Sequence, residues 1–512
     1  MNLQTIIAFS LLLWWPHHTR GPDHAHVIAI LAGQLVAVGL AAWRLSRRTV
    51  RRMAENRDRL GRALALYHRA AGGLRLILLS FFAYDVFAAG WPGVINSVAV
   101  FRAIPGAAPM AGLIPYVVGL LTIWWLLYPV ERAARRSAGE PSTWSRRRFI
   151  AFNLRHHFLV LAVPLGLLLV AYQTTERYRA WFVRSTGTPW GPDVALGAAV
   201  AIIFVISPVI MRHVWTTSPL PDGPLRRRLL ALCDRIGLRV RDILVWHSDR
   251  MMANAAVMGV IPRVRYILLS DALIEAMTDD EIEAVFGHEA GHVKHHHILY
   301  FIVFAVISLL LMQGVMELLF QMYQHGIGRD IINQRFVEVF GVVSVLPVWL
   351  LGFGAISRRF ERQADVHGAR CAAPHDTNQT CALPCGVHHH NPGGPAHSDM
   401  VCATGARTFI SALRKVAYLN GIAIREWTWR HSSIAARMDA LAACAADASA
   451  ARAFARRIRR VKIALIATLA TGLLAAGGYL WTSPRHRDQL ERYIFQPLQQ
   501  WIHGGGGTQV DR

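Results

Sequence analysis

Three observations predict a mainly α fold, a multi-pass transmembrane helical bundle carrying a small α+β catalytic domain. Hydrophobic residues make up 53% of the 512-residue chain, and the mean hydropathy is +0.30, both high for a water-soluble protein. Apolar runs of about 20 residues, long enough to cross a bilayer, recur along the chain. Two long polar segments interrupt them, and these hold the residues that carry metal and acid–base chemistry.

The runs fall near 26–45, 76–100, 110–130, 157–174, 194–212, 298–322, 336–356 and 461–481. The stretch Ile6–Trp15 is apolar but too short to span, and no Lys or Arg precedes it, so it lacks the start of a signal peptide; it reads as a surface-lying or re-entrant piece. Net charge is +23, and the isoelectric point is about 10.8. Nucleic acid is one partner such charge could serve, but its distribution points to the lipid bilayer instead. Nine Arg lie between Arg44 and Arg69, and seven between Arg132 and Arg155. The alternate loops carry far fewer. Arg-rich loops stay on the cytoplasmic side, which places both polar segments there as well. The expected organisation is an N-terminal transmembrane region at 1–212 and a first catalytic segment at 213–297. A membrane hairpin at 298–357, a second catalytic segment at 358–460, and a last span with a flexible tail at 461–512 complete it. Asp85, inside a run, is costly there and reads either as a hydrogen-bonded interior carboxylate or as part of a substrate chamber.

The first polar segment contains His288-Glu289-Ala290-Gly291-His292. Thr278-Asp279-Asp280-Glu281 forms a capping box ahead of it, with Ile282, Val285 and Phe286 as an apolar stripe, so the motif lies on a helix. Residues four apart share a helix face, and His288 and His292 can therefore grip one metal ion with Glu289 beside it. Zinc binds imidazole nitrogen and leaves a position open for water in catalytic sites, and the Glu can take that water's proton. Upstream, Leu225–Arg235 reads as an amphipathic helix ended by Gly237. Short β-like runs at Asp242–Trp246 and Arg265–Leu269 bracket Asn254-Ala255-Ala256-Val257-Met258-Gly259, a small-residue strand suited to backbone pairing with an extended peptide.

In the second segment, Glu361 and Asp365 are four apart in Phe360-Glu361-Arg362-Gln363-Ala364-Asp365. Glu361 suits the third position of a two-His-plus-Glu zinc site, and Asp365 could accept the free N–H of a ligating His. With Arg358, Arg359 and Arg362 adjacent, a salt-bridged surface helix fits the same residues.

The order of these motifs resembles the integral-membrane zinc metalloproteases of the type I CAAX prenyl protease and HtpX-like families, over roughly residues 215–445. The resemblance implies a zincin-type, gluzincin-like catalytic domain with one Zn2+ on His288, His292 and Glu361. It also implies that Glu289 is the general base and that the strand at Asn254 and Ala255 binds substrate. The family's His followed six residues later by Arg matches His431 and Arg437. His431 would steady the oxyanion, although Ser432 stands where the family usually has Pro.

Four cysteines, Cys371, Cys381, Cys385 and Cys402, bound or lie in a His-rich insert at 371–402, which reads as a mobile lid or as a second structural zinc site. Cytoplasmic disulfides are unexpected, and Cys233 and Cys444 read as small buried residues. His295, His296 and His297 read as a membrane-border cluster, with a further ligand role open. The expected activity is zinc-dependent endopeptidase action on membrane-associated or misfolded proteins at the cytoplasmic face. The Ala- and Arg-rich composition fits a bacterial inner membrane. Processing of lipidated C-termini, a catalytically silent scaffold and a transporter are the alternatives.

Overall fold

The computed structural model describes residues 3–12, 23–55, 60–137, 145–250, 252–325, 347–373, 400–428 and 430–482. The chain divides into two compact units, Met1–Thr216 and Thr217–Arg512, and this is a multi-pass helical membrane protein with a small sheet. Seven of the described helices are long and apolar enough to cross a bilayer. The run expected at 336–356 falls mostly outside the described residues.

Five of those helices form the first unit: His24–Glu55, Leu66–Phe87, Ala107–Ser137, Arg146–Arg177 and Gly191–Val214. The second of them differs from the expected 76–100. It stops at Phe87 because Gly90 adopts φ 88° and Trp91-Pro92 open a new short helix, a turn that only a residue without Cβ makes at no cost. The run expected at 157–174 is part of a longer helical stretch that begins at Arg146 and passes through a π-helical turn at Leu154–Leu159. Leu3–Leu12 is a helix whose Ala8, Phe9 and Leu12 are buried while Ile7 and Ser10 are exposed. Asp85 is buried and accepts a 2.9 Å hydrogen bond from Gln34 Nε2, the satisfied-interior arrangement.

The second unit contains a four-stranded mixed sheet in the order β1-β2-β4-β3, made of Thr217–Pro219, Asp242–Trp246, Ala255–Met258 and Tyr266–Ser270. β2 and β4 run parallel, and β3 is an antiparallel edge strand with Ala255 opposite Leu269 and Val257 opposite Ile267. β4 is buried throughout. The helix Pro224–Ile236 buries Leu229 and Leu232 beneath the sheet and ends at Gly237 with φ 64°.

The motif helix, Asp279–Lys294, begins with the expected capping box between Thr278 and Glu281. Glu281 also receives Lys415 Nζ at 2.6 Å and Ser411 Oγ at 2.7 Å, which ties this helix start to the helix Ala403–Leu419. The motif helix does not run straight into the following span. His296 takes φ 57° and breaks it before His297–Gln324 starts.

Against the motif helix lies the helix Gly354–Cys371, and their crossing is made by small residues. A Cβ on Gly287 would stand 2.5 Å from Cys371 Cβ, and one on Gly291 2.9 Å from His367 Cβ and 3.2 Å from Ala364 Cα. On the partner helix, a Cβ on Gly368 would stand 2.6 Å from the Ala284 carbonyl oxygen. Backbones that approach this closely tolerate no methyl group. Gly368→Ala is therefore expected to lower the thermal midpoint of the detergent-solubilised protein, by about 1–3 kcal/mol in stability. Gly477→Ala, where nothing lies within 4 Å, is expected to be neutral or slightly stabilising, as Ala is in an exposed helix. Equal midpoints for the two variants would refute the crossing as drawn.

Candidate metal centre and active site

The glycine crossing sets Glu361 opposite the two histidines of the motif helix. His288 Nε2 and His292 Nε2 are 3.3 Å apart. Glu361 Oε2 lies 3.8 Å from the first and Oε1 3.7 Å from the second. Two nitrogens each about 2.0–2.1 Å from a tetrahedral zinc would sit about 3.3 Å apart, so the imidazoles already have the separation the ion requires, and a small inward turn of the carboxylate completes the set. Among the described residues this is the only group of three such side chains whose ligand atoms converge, all within 4.8 Å. The donor chemistry, two imidazoles and a carboxylate, suits zinc.

Each ligand is held from behind. His288 Nδ1 lies 2.9 Å from Asp365 Oδ1, a close approach without hydrogen-bond alignment, and His288 stacks on Phe409. Asp365 is gripped bidentately by Arg437, with Nε 2.9 Å from Oδ2 and Nη2 2.5 Å from Oδ1. His292 Nδ1 meets His297 Nδ1 at 3.0 Å, and His297 Nε2 lies 3.0 Å from Gln363 Oε1. His297 is fully buried and stacks on Phe360 at 4.4 Å. Of the three histidines expected at the membrane border, only His296 is exposed, and His297 instead orients a candidate ligand.

Charge balance follows from this packing. Burial would raise Glu361, but the hydrogen bond from His431 and the charges of Arg437, His288 and His292 outweigh it and hold the carboxyl well below its usual range. Burial likewise opposes ionisation of Asp365, yet Arg437 keeps it low. Burial pushes His292 down to about 4, with His288 adding to the effect, so this imidazole is neutral and ready to donate a lone pair. Burial disfavours charge on His288 too, but Asp365 and Glu361 overcome it and raise its pKa. Metal binding at His288 therefore competes with a proton.

Glu289, on the next residue of the helix, is pushed up to about 7 by burial, with Glu361 adding and with His288, a backbone hydrogen bond from Val257 and Arg437 opposing. That bond brings edge strand β3 to Glu289. Asn254 is exposed, and its main chain is turned toward β4, where its N–H meets Ser270 Oγ and its carbonyl accepts from Ser270 N, both at 2.9 Å. Strand alternation then turns the main chain of Ala255 outward, on the side of Val257 and Glu289.

His431 Nδ1 is 3.2 Å from Glu361 Oε2, and the side chain is about half exposed, at 46%. Ser432 adopts φ 59°, a conformation closed to Pro, whose φ is fixed near −65°. The local turn thus accounts for the departure at this position. Arg437 spans Asp365 and, at 3.7 Å, Glu361. Cys371 packs into the core beneath Gly287 and Cys402 packs with Ala373, so both ends of the insert are engaged in packing. Cys381, Cys385 and the insert histidines lie outside the described residues. Cys233 and Cys444 are buried.

Helical spans, a glycine-packed pair of helices and a His-His-Glu cluster with an adjacent buried Glu define the class of membrane-embedded metallopeptidases. Residues 219–445 match the model of Peptidase family M48, and this segment belongs to that family. The chain is 30% identical to CAAX prenyl protease 1 of Saccharomyces cerevisiae over 119 residues, 23% of this chain and 26% of that protein. It is 27% identical to CAAX prenyl protease 1 homolog of Oryza sativa over 227 residues, covering 40% and 50%. With Protease HtpX of Pasteurella multocida it shares 28% over 152 residues, covering 28% and 50%. The chain therefore spans half or less of the length of these relatives. The crystal structure of S. mikatae Ste24p aligns with a TM-score of 0.49 at 18% identity, over 83% of this chain and 100% of that one.

If Asp365 and His297 fix the ligating rings, Asp365→Asn and His297→Leu should each weaken zinc about 10–100-fold, measured by competition with a chromogenic chelator. Unchanged affinity in both would remove them from the site.

Proposed function

We propose that the protein is a zinc-dependent endopeptidase that cleaves membrane-associated or misfolded proteins at the cytoplasmic face of the membrane. The observation that carries the proposal is the convergence of His288, His292 and Glu361 with Glu289 buried alongside. A zinc ion held by these three side chains would polarise the scissile carbonyl and acidify a water molecule. Glu289, with its pKa raised to about 7, is matched to take a proton from the attacking water and return it to the leaving amine near neutral pH. The outward main chain of Ala255 would pair with an extended substrate, adding a strand to the open edge of β3. A strand added there would bring its scissile bond beside Glu289, with the exposed side chain of Asn254 flanking it. His431, half exposed beside Glu361, is positioned to donate to the developing oxyanion.

The cytoplasmic assignment rests on the Arg-rich loops. Substrates embedded in or attached to the bilayer fit a motif helix that is joined to a membrane span through His296 and His297. The relatives divide between CAAX prenyl proteases and HtpX proteases, so cleavage near lipidated C-termini is the second reading.

Glu289→Gln is expected to retain stoichiometric zinc and lose peptide cleavage by at least about 10²–10⁴-fold. A purified Gln variant that still cleaves in a chelator-sensitive way would overturn the assignment of the base. Fragments that accumulate in cells with the parent but not with this variant would identify the substrates, and enrichment for prenylated C-termini would favour the second reading.

A further inference from the structure

A cavity of about 220 Å³ lies behind the metal centre, between the C-terminal half of the Glu361 helix and the start of the last helix, Ala448–Thr482. Its polar lining is basic. Arg370, Arg459, Lys462, His295 and His367 line it together with the neutral Gln363, and among the described residues no carboxylate does. Val366, Val401, Phe454 and Ile458 give it an apolar floor. His367 contributes a buried Nε2 that has no hydrogen-bond partner among the described residues, a group that a ligand could satisfy. Lys462 lines the cavity, donates to the His295 carbonyl at 2.9 Å and lies over the Tyr300 ring at 4.9 Å, and an ammonium has three donors in all.

The position along the last helix indicates what such a cavity could hold. Lys462 is the final charged residue before an apolar stretch whose Ile463, Ile466, Leu473 and Leu474 are exposed, and Tyr479 and Trp481 mark its far end. From Ile463 to Trp481 a helix rises about 27 Å at 1.5 Å per residue, close to the roughly 30 Å of a bilayer's hydrocarbon layer. The cavity therefore opens at headgroup depth. The preceding turns add Arg452, Arg456, Arg457 and Arg460, a polybasic segment of the kind that draws anionic lipid to a span. Burial is the main cause that lowers His295 to about 3 and His367 to about 4, with Lys462 and Arg370 contributing at His295 and Arg370 at His367.

We propose that this cavity binds the phosphodiester of an anionic phospholipid, with Arg459, Lys462 and Arg370 around the phosphate, His367 Nε2 hydrogen-bonding to it, and the glycerol and first methylenes on the apolar floor. An apolar floor at the membrane border distinguishes this occupant from a free phosphate, which would gain nothing from Val366, Phe454 and Ile458. The bound lipid would brace the Glu361 helix against the last span, on the face opposite the metal ligands.

The test uses the full-length protein in non-ionic detergent, with phosphatidylglycerol titrated in and retained adducts counted by native mass spectrometry. Phosphatidylcholine and inorganic phosphate are run in parallel. One saturable phosphatidylglycerol adduct is expected, with phosphatidylcholine retained far less. Arg459→Glu should weaken that adduct about tenfold, the scale of one to two charge contacts at a membrane surface. Arg456→Glu, the same charge change on the same helix outside the cavity, should alter it less than about twofold if the cavity and not diffuse charge is read. Thermal unfolding without lipid checks that both variants fold, and Arg459→Gln gives the comparison at about threefold if the reversed charge does not. Equal retention by Arg459→Glu and the parent, or an equal loss in both Glu variants, would overturn the site. Inorganic phosphate binding that depends on Arg459 while lipid retention does not would overturn the lipid assignment.

Discussion

The close crossing of the motif helix and the Glu361 helix is the constraint on which the catalytic unit depends. Gly287 and Gly291 on one side, and Ala364 and Gly368 on the other, let two backbones approach to a distance that ordinary side chains forbid. Only at that distance can Glu361 reach the Nε2 atoms of His288 and His292. A single methyl at the crossing would widen the triangle of His288, His292 and Glu361, so the spacing of these three side chains and the helix packing are one property here. The capping box at Thr278 and Glu281 and the Lys415 ion pair set the axial position of the motif helix, and the break at His296 ends it.

Around the crossing, charge is buried in a closed network. His288 faces Asp365, Asp365 is held by Arg437, Arg437 reaches Glu361, and Glu361 meets His431. Buried ions are costly unless mutually paired, and this arrangement pairs each of them. Pairing keeps Glu361 and Asp365 ionised, while at Glu289 burial outweighs the pull of His288 and Arg437 and raises the carboxyl. Two carboxylates on neighbouring helices thus have opposite protonation preferences, which is what a ligand and a base require.

Much of this could be read from residues alone. The capping box, the four-residue spacing of His288 and His292, and the pairing of Glu361 with Asp365 all follow from helix periodicity, which is a local property. The small-residue strand was legible for the same reason, although its alternation turns the main chain of Asn254 toward β4 and that of Ala255 outward. The role of His297 was not legible, because an unpredictable left-handed residue at His296 directs it back to His292 and away from the bilayer edge. Gly287 and Gly291, and Ala364 and Gly368, did carry a signal in their small-xxx-small spacing, but nothing local says which helix meets which. The end of the second span at Phe87 was likewise hidden, since hydropathy continues through Gly90 while the backbone turns.

The central claim is that one zinc ion sits on two imidazoles and a carboxylate at this crossing. Zinc K-edge X-ray absorption on the purified protein tests it directly. The account predicts a first shell of nitrogen and oxygen at about 2.0–2.1 Å with imidazole multiple scattering and no sulfur. A sulfur shell at about 2.3 Å, placing the metal on the insert cysteines, or no bound zinc at all, would contradict it.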